Sequence, residues 1–221
     1  MPDTPYPLGR LREHDPRSRA YPFAAPARLE LPKYSWTWSR RAPIFDQGSL
    51  GSCTGQAAAG WLGSDARGQR GNAHADQALA VSLYSEATRL DQWDGAYEPD
   101  DTGSSGVAVC KAMRNRQQIT TYRHAFTFNA VLSALLKGPV LVGVPWLGDM
   151  FWPLDSGYLK CTGQEEGGHE FLIRGADPRR KHVLADNSWS TDWGRKGRFW
   201  LHWADLEMLL GRDGDCTVPV R

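Results

Sequence analysis

The chain has 221 residues, 41% of them hydrophobic and 23% charged, with 26 Lys+Arg against 25 Asp+Glu for a net charge of +1. That length supports a core without metals or a lattice of disulfides, and so small a net charge supplies no field to gather nucleic acid or anionic lipid. No apolar run approaches the roughly 20 residues that span a bilayer, and Met1-Pro-Asp-Thr-Pro lacks the basic start and apolar core of a secretory signal. Localisation stays open between a cytoplasmic default and a virion or another route of export.

Residues 1–30 read as an extended arm, because Pro2, Pro5, Pro7, Pro16, Pro22 and Pro26 interrupt any helical or strand period. Residues 31–221 read as one domain, with a helical lobe over about 45–130 and a β lobe over about 131–221. The first helix opens at Cys53 among small residues, with Ser52 as its cap. Asp76 caps a second, whose Leu79, Leu83, Ala87 and Leu90 share one face. A third covers 105–117, and a fourth covers Asn129 to Lys137 before the stop at Gly138-Pro139. Short β-prone runs follow at 140–144, 170–174, 182–185 and 198–203. The fold class is α+β: a helical lobe, then a mostly antiparallel β lobe, with a cleft between them as the place for a site.

Cys53 stands at a helix N-terminus, where the dipole and free backbone N–H groups favour thiolate and can bind an oxyanion. Such a nucleophile needs a base and an orienter. His169 follows the glycine pair Gly167-Gly168 at the start of a β-run, and Asn187 comes one hairpin later with Trp189 and Trp193 behind it. An Asn carbonyl accepting from the ring N–H would aim the imidazole at the thiol, with Trp189 shielding that bond. His14, His74, His124, His182 and His202 have no comparable context and read as structural, as does Cys110 among apolar helix residues. No pair of the four cysteines has the C-x-x-C spacing of a zinc site.

Together these segments resemble the papain-like cysteine peptidases, most closely the short bacterial and phage-type members. Gln47-Gly-Ser-Leu-Gly-Ser-Cys53 is similar to the segment around the family's nucleophile, Gly168-His169 to its histidine motif, and Asn187-Ser-Trp189-Ser-Thr-Asp-Trp193-Gly194 to its NSWGxxWG motif. The resemblance implies a two-lobe papain-like fold with a β-barrel-like C-terminal lobe. It implies Cys53 as nucleophile, His169 as base and then acid, Asn187 as orienter and Gln47 as oxyanion donor. Gly103 and Ser104 fall where the family binds peptide backbone, and Gly168, Trp189 and Trp193 join them as substrate-binding residues. Cys161 and Cys216 occupy positions similar to a family disulfide.

The chain departs from the pattern at Leu50, which replaces a cysteine, at Thr54, which replaces a Trp, and at Glu170, where the residue after the histidine is usually small. The interval from Cys53 to His169 is also shorter than the roughly 130–150 residues of papain-type enzymes. The implied activity is a thiol peptidase working through a thioester acyl-enzyme, with no metal or cofactor and with a peptide or protein substrate. Two rivals use the same fold: a hydrolase of peptidoglycan cross-links or isopeptides, and a structural component of a virion or secreted assembly. Within the substrate side, the carboxylates of Asp100 and Asp101 read either as a preference for a basic residue or as a solvated loop. Met150-Phe151-Trp152 reads as a wall for the leaving group or as packing.

Overall fold

A computed structural model describes residues 5–11 and 19–221; the other arm residues, His14 among them, lie outside that description. After a two-residue strand β1 (Trp36–Thr37) come three helices, α1 (Cys53–Leu62), α2 (Gln77–Ala87) and α3 (Gly106–Asn115). Asp76 accepts from the Leu79 N–H and Ser105 from the Ala108 N–H, so α2 and α3 are capped by their own side chains. Ser52 does not cap α1. Its hydroxyl instead accepts from Gln56 Nε2 at 3.0 Å and makes no capping bond to the first turn of α1.

The remaining elements are β2 (Thr121–His124), α4 (Phe128–Leu135), β3 (Val140–Leu147), β4 (Glu165–Asp177), β5 (His182–Asp186), β6 (Arg198–His202), α5 (Trp203–Leu210) and β7 (Asp215–Val220). A single turn of 3-10 helix, Gly148–Phe151, follows β3. The antiparallel sheet runs β2-β7-β3-β4-β5-β6, with β1 added on β4. Its path ends at β2 and β6, so the sheet is open where the sequence implied a barrel-like closure. It also takes in β2, which lies within residues assigned to the helical lobe.

Two apolar cores flank β3 and β4, whose side chains alternate between them. Val140, Val142, Val144, Phe171 and Ile173 enter the C-terminal core; Leu141 and Leu172 enter the core of α1–α3. All eight residues of β3 are therefore buried. This two-sided burial explains why the 140–144 run is apolar throughout instead of alternating. The histidine and the thiol sit where these two cores meet.

The arm lies on the domain. Leu8, Phe23, Leu29 and Leu31 pack against the C-terminal core. Residues 9–11 run parallel to the segment at Ser104: the Leu11 N–H donates to Ser104 O at 2.9 Å and the Ser104 N–H to Gly9 O at 2.8 Å. On the other side, the Arg10 N–H donates to Gly168 O at 3.0 Å.

Candidate active site

Cys53 begins α1 and is fully buried. Backbone N–H groups of Glu170, Gly9 and Thr54 point at its sulfur. The first belongs to the residue after His169, so β4 brings His169 beside the Cys53 thiol. The second belongs to the arm. Burial pushes the thiol up to about 12; the N–H groups oppose that rise and the Glu170 carboxylate adds to it. The thiolate expected from the helix terminus alone is therefore disfavoured while the arm covers it.

His169 Nε2 lies 2.7 Å from Asn187 Oδ1, and Oδ1 also accepts the Ser188 N–H at 2.8 Å. An oxygen already accepting one N–H serves Nε2 as acceptor, so Nε2 carries the proton and Nδ1 keeps the basic lone pair. Nδ1 makes no hydrogen bond among the described residues. Burial lowers the imidazole to about 4, against the opposing effect of the Asn187 bond.

Gln47 is held at both ends of its amide. Its Oε1 accepts from the Ser188 hydroxyl at 2.6 Å, while Nε2 donates to Leu50 O at 2.9 Å and to the arm's Pro7 O at 3.4 Å. A carbonyl of the arm thus already faces the side-chain donor that the sequence assigned to an oxyanion.

The description "Papain family cysteine protease" matches residues 68–207, a stretch containing His169 and Asn187 but starting after Cys53. The chain belongs to the papain family of cysteine proteases. Among curated proteins it is 28% identical over 184 residues to gamete and mating-type specific protein A of Dictyostelium discoideum. That match takes in 73% of this chain and spans 40% of the relative's length. Among solved structures it shares its fold with xylellain, a cysteine protease from Xylella fastidiosa (TM-score 0.74, 16% identity, 98% of this chain and 97% of that one). Digestive procathepsin L 3 of Tenebrio molitor is similar at TM-score 0.65 and 15% identity, over 97% of this chain and 76% of that one.

Within this family fold the other expected residues divide. Gly103, Ser104 and Gly168 line the path of the arm. Trp189 stacks on the arm's Tyr6 at 4.7 Å and meets the His169 ring at a tilt, 4.5 Å between centroids, which puts it beside the histidine that Asn187 holds. Tyr6 also meets Phe151 and the exposed Trp152, so that segment does form a wall of the cleft. Trp193 is buried behind Trp189 and donates to Phe151 O at 2.9 Å, which ties it to the Phe151 segment.

The disulfide that the resemblance implies is not formed: Cys161 and Cys216 are both free thiols, Cys161 with Asp205 as a charged neighbour and Cys216 with Asp215, Glu170 and Cys110. Asp101 is held by groups of the protein itself. It takes the Tyr84 hydroxyl at 2.5 Å and the Gly51 N–H at 2.8 Å, tying α2 to the loop before the nucleophile. Asp100 is exposed.

Several site residues escaped the sequence reading. Trp146 packs edge-on against His169 at 4.8 Å and Trp189 at 5.1 Å. Asp186, beside Asn187, is buried against Arg174 Nε at 2.8 Å, Arg40 Nη1 at 3.2 Å and Arg198 Nε at 3.4 Å. The position next to the Asn motif was the only signal for Asp186, and nothing in the sequence marked Trp146 among ten tryptophans.

Proposed function

We propose that the chain is a latent cysteine endopeptidase whose arm occludes the cleft until it is displaced. The observation that carries this reading is the 2.7 Å His169–Asn187 bond formed one residue from the N–H that meets the Cys53 sulfur. With the arm gone, water returns, the burial penalty on both groups falls, and the thiol proton passes to Nδ1 to leave thiolate beside imidazolium. The thiolate adds to the peptide carbonyl. The uncapped N–H at Cys53 and the Gln47 Nε2 donor bind the resulting oxyanion. Collapse expels the amine, which takes the proton from His169, and water activated by the same nitrogen then hydrolyses the thioester.

Gly9 is the point at which the arm can be dislodged. A Cβ there would lie 1.7 Å from Gly51 O, a clash that backbone cannot absorb by rotating a side chain. Full-length Gly9→Ala should therefore hydrolyse unfolded casein faster than the parent, and adding Cys53→Ala should abolish turnover. Equal rates in the parent and Gly9→Ala would contradict occlusion, and activity surviving Cys53→Ala would contradict the thiol mechanism.

A further inference from the structure

Gln56 lies one turn into α1 from Cys53 and is 2% exposed. An amide buried in this way carries a desolvation cost unless both of its ends are met. One end is: Nε2 donates to the Ser52 hydroxyl at 3.0 Å, which ties Gln56 to the residue before the nucleophile. The other end, Oε1, has no hydrogen-bond partner among the described residues. Asn187 shows the same asymmetry. Its Oδ1 accepts from His169 Nε2 and from the Ser188 N–H, while its Nδ2 is buried with no partner among the described residues.

Both residues line one small cavity. It lies between α1 and the far end of the β4–β5 hairpin, with Gln56 and Ala57 on the helix side and Phe171, Asp186, Asn187 and Ser188 on the other, and holds about 10 Å³. That is the room one water molecule needs, and a buried water also needs at least two polar partners. Nδ2 of Asn187 supplies a donor and Oε1 of Gln56 an acceptor, so a water accepts from the first and donates to the second. The Ser52 hydroxyl serves as donor or acceptor alike, so the donor on Asn187 fixes which end of the Gln56 amide faces the cavity.

We infer that Gln56 is a positioning residue for the catalytic pair, holding the Asn187 amide through a single buried water. The bonds then run from Ser52 Oγ to Gln56, through the water to Asn187 Nδ2, and from Asn187 Oδ1 to His169 Nε2. They join the helix that presents Cys53 to the hairpin that carries His169. They also hold Nδ2 away from the imidazole, so that Oδ1 stays its acceptor. Ser52 thereby has a use other than the helix cap that it does not make. In this role Gln56 acts only through Asn187. An apolar residue in its place would leave Nδ2 facing the cavity with no acceptor across it, and the Asn187 amide would be free to turn. The inference rests on the peptidase reading.

The test is a double-mutant cycle in the full-length Gly9→Ala protein with two readouts. One is kcat and KM on a coumarin amide; the other is the pH dependence of Cys53 alkylation by iodoacetamide, which needs no turnover. Gln56→Met keeps the length and loses the acceptor. It should lower kcat about tenfold with KM within about twofold, and rapid alkylation should begin at higher pH. In an Asn187→Ala background the same substitution should change neither, because nothing is left to position. Gln56→Glu keeps an acceptor oxygen, with Arg40 on the same cavity to face its charge, and should recover most of the lost kcat. A loss as large without Asn187 as with it, a rise in KM alone, equal losses in the Met and Glu variants, or no loss at all would overturn the inference. In the isotope-labelled parent, the Asn187 side-chain amide should give an NMR cross-peak to a long-lived water; its absence would overturn the inference even if Gln56→Met does not fold. Amide cleavage with additive losses sinks the positioning role and keeps the peptidase. An alkylation change that vanishes without Asn187, in a protein that cleaves no amide, keeps the role and sinks the peptidase.

Discussion

Asn187 acts by deciding which nitrogen of His169 holds the proton. Its Oδ1 accepts from Nε2, which leaves Nδ1 as the base. Asn187→Ala removes that acceptor and lets the ring rotate or change tautomer. In the Gly9→Ala background kcat should fall roughly a hundredfold with KM little changed, measured on a coumarin amide. A loss confined to KM would show that Asn187 binds substrate instead. Glu170 supports a different prediction, about pH. Its folded pKa stands well above its ordinary 4.5, chiefly through burial. From about pH 4.5 upward the unfolded chain gives up a proton that the folded chain keeps, so this group lowers stability as pH rises. Glu170→Gln keeps the shape of the protonated acid without that proton. Its melting temperature relative to the parent should climb from pH 5 to pH 8. A difference that stays flat or falls would mean that Arg10 keeps the carboxylate ionised.

At the level of elements, the hairpin β4–β5 is the frame of the site, since it carries both His169 and, at its far end, Asn187. Their sequence spacing is legible because a hairpin brings near neighbours together, and the motif residues fall on it in order. The contact of Arg10 with Asp215 was not legible in the same way. Asp215 reaches Arg10 only because β7 pairs with β3, and β3 with β4, a register that no short motif encodes. Likewise a charge-based expectation rested partly on Asp101, whose carboxylate Tyr84 and Gly51 hold. The helices were readable where caps and faces coincide, as at Asp76, whereas α5 and β7 carry short mixed patterns that yielded no assignment. The far end of β5 is pinned by Asp186, whose buried carboxylate faces Arg40 and Arg174. Asp186→Ala leaves both guanidiniums without that counter-charge and should cost about 3–5 kcal/mol in denaturant unfolding. A loss below 1 kcal/mol would show that water or another acid takes its place.

Across the whole molecule, the arm covers the site. Its apolar residues fasten it to the C-terminal core at Leu8, Phe23 and Leu29, while Pro7, Gly9 and Arg10 meet the Gln47 amide, the Cys53 sulfur and Asp215. Burial is the first cause of both the raised thiol and the lowered imidazole. The sequence marked Cys53 as a nucleophile candidate and residues 1–30 as an arm, but not which residues the arm meets, since an irregular proline-rich segment has no pattern that reports where it docks. The most direct measurement is the rate of Cys53 alkylation by iodoacetamide against pH, in the parent, in Gly9→Ala and in Gly9→Ala/His169→Ala. The account predicts a parent that labels slowly up to alkaline pH. It predicts rapid labelling of Gly9→Ala that persists down to about pH 5 and is lost without His169. A Gly9→Ala protein that labels like its parent, or like an ordinary thiol rising through about pH 8.5 whether or not His169 is present, would contradict it.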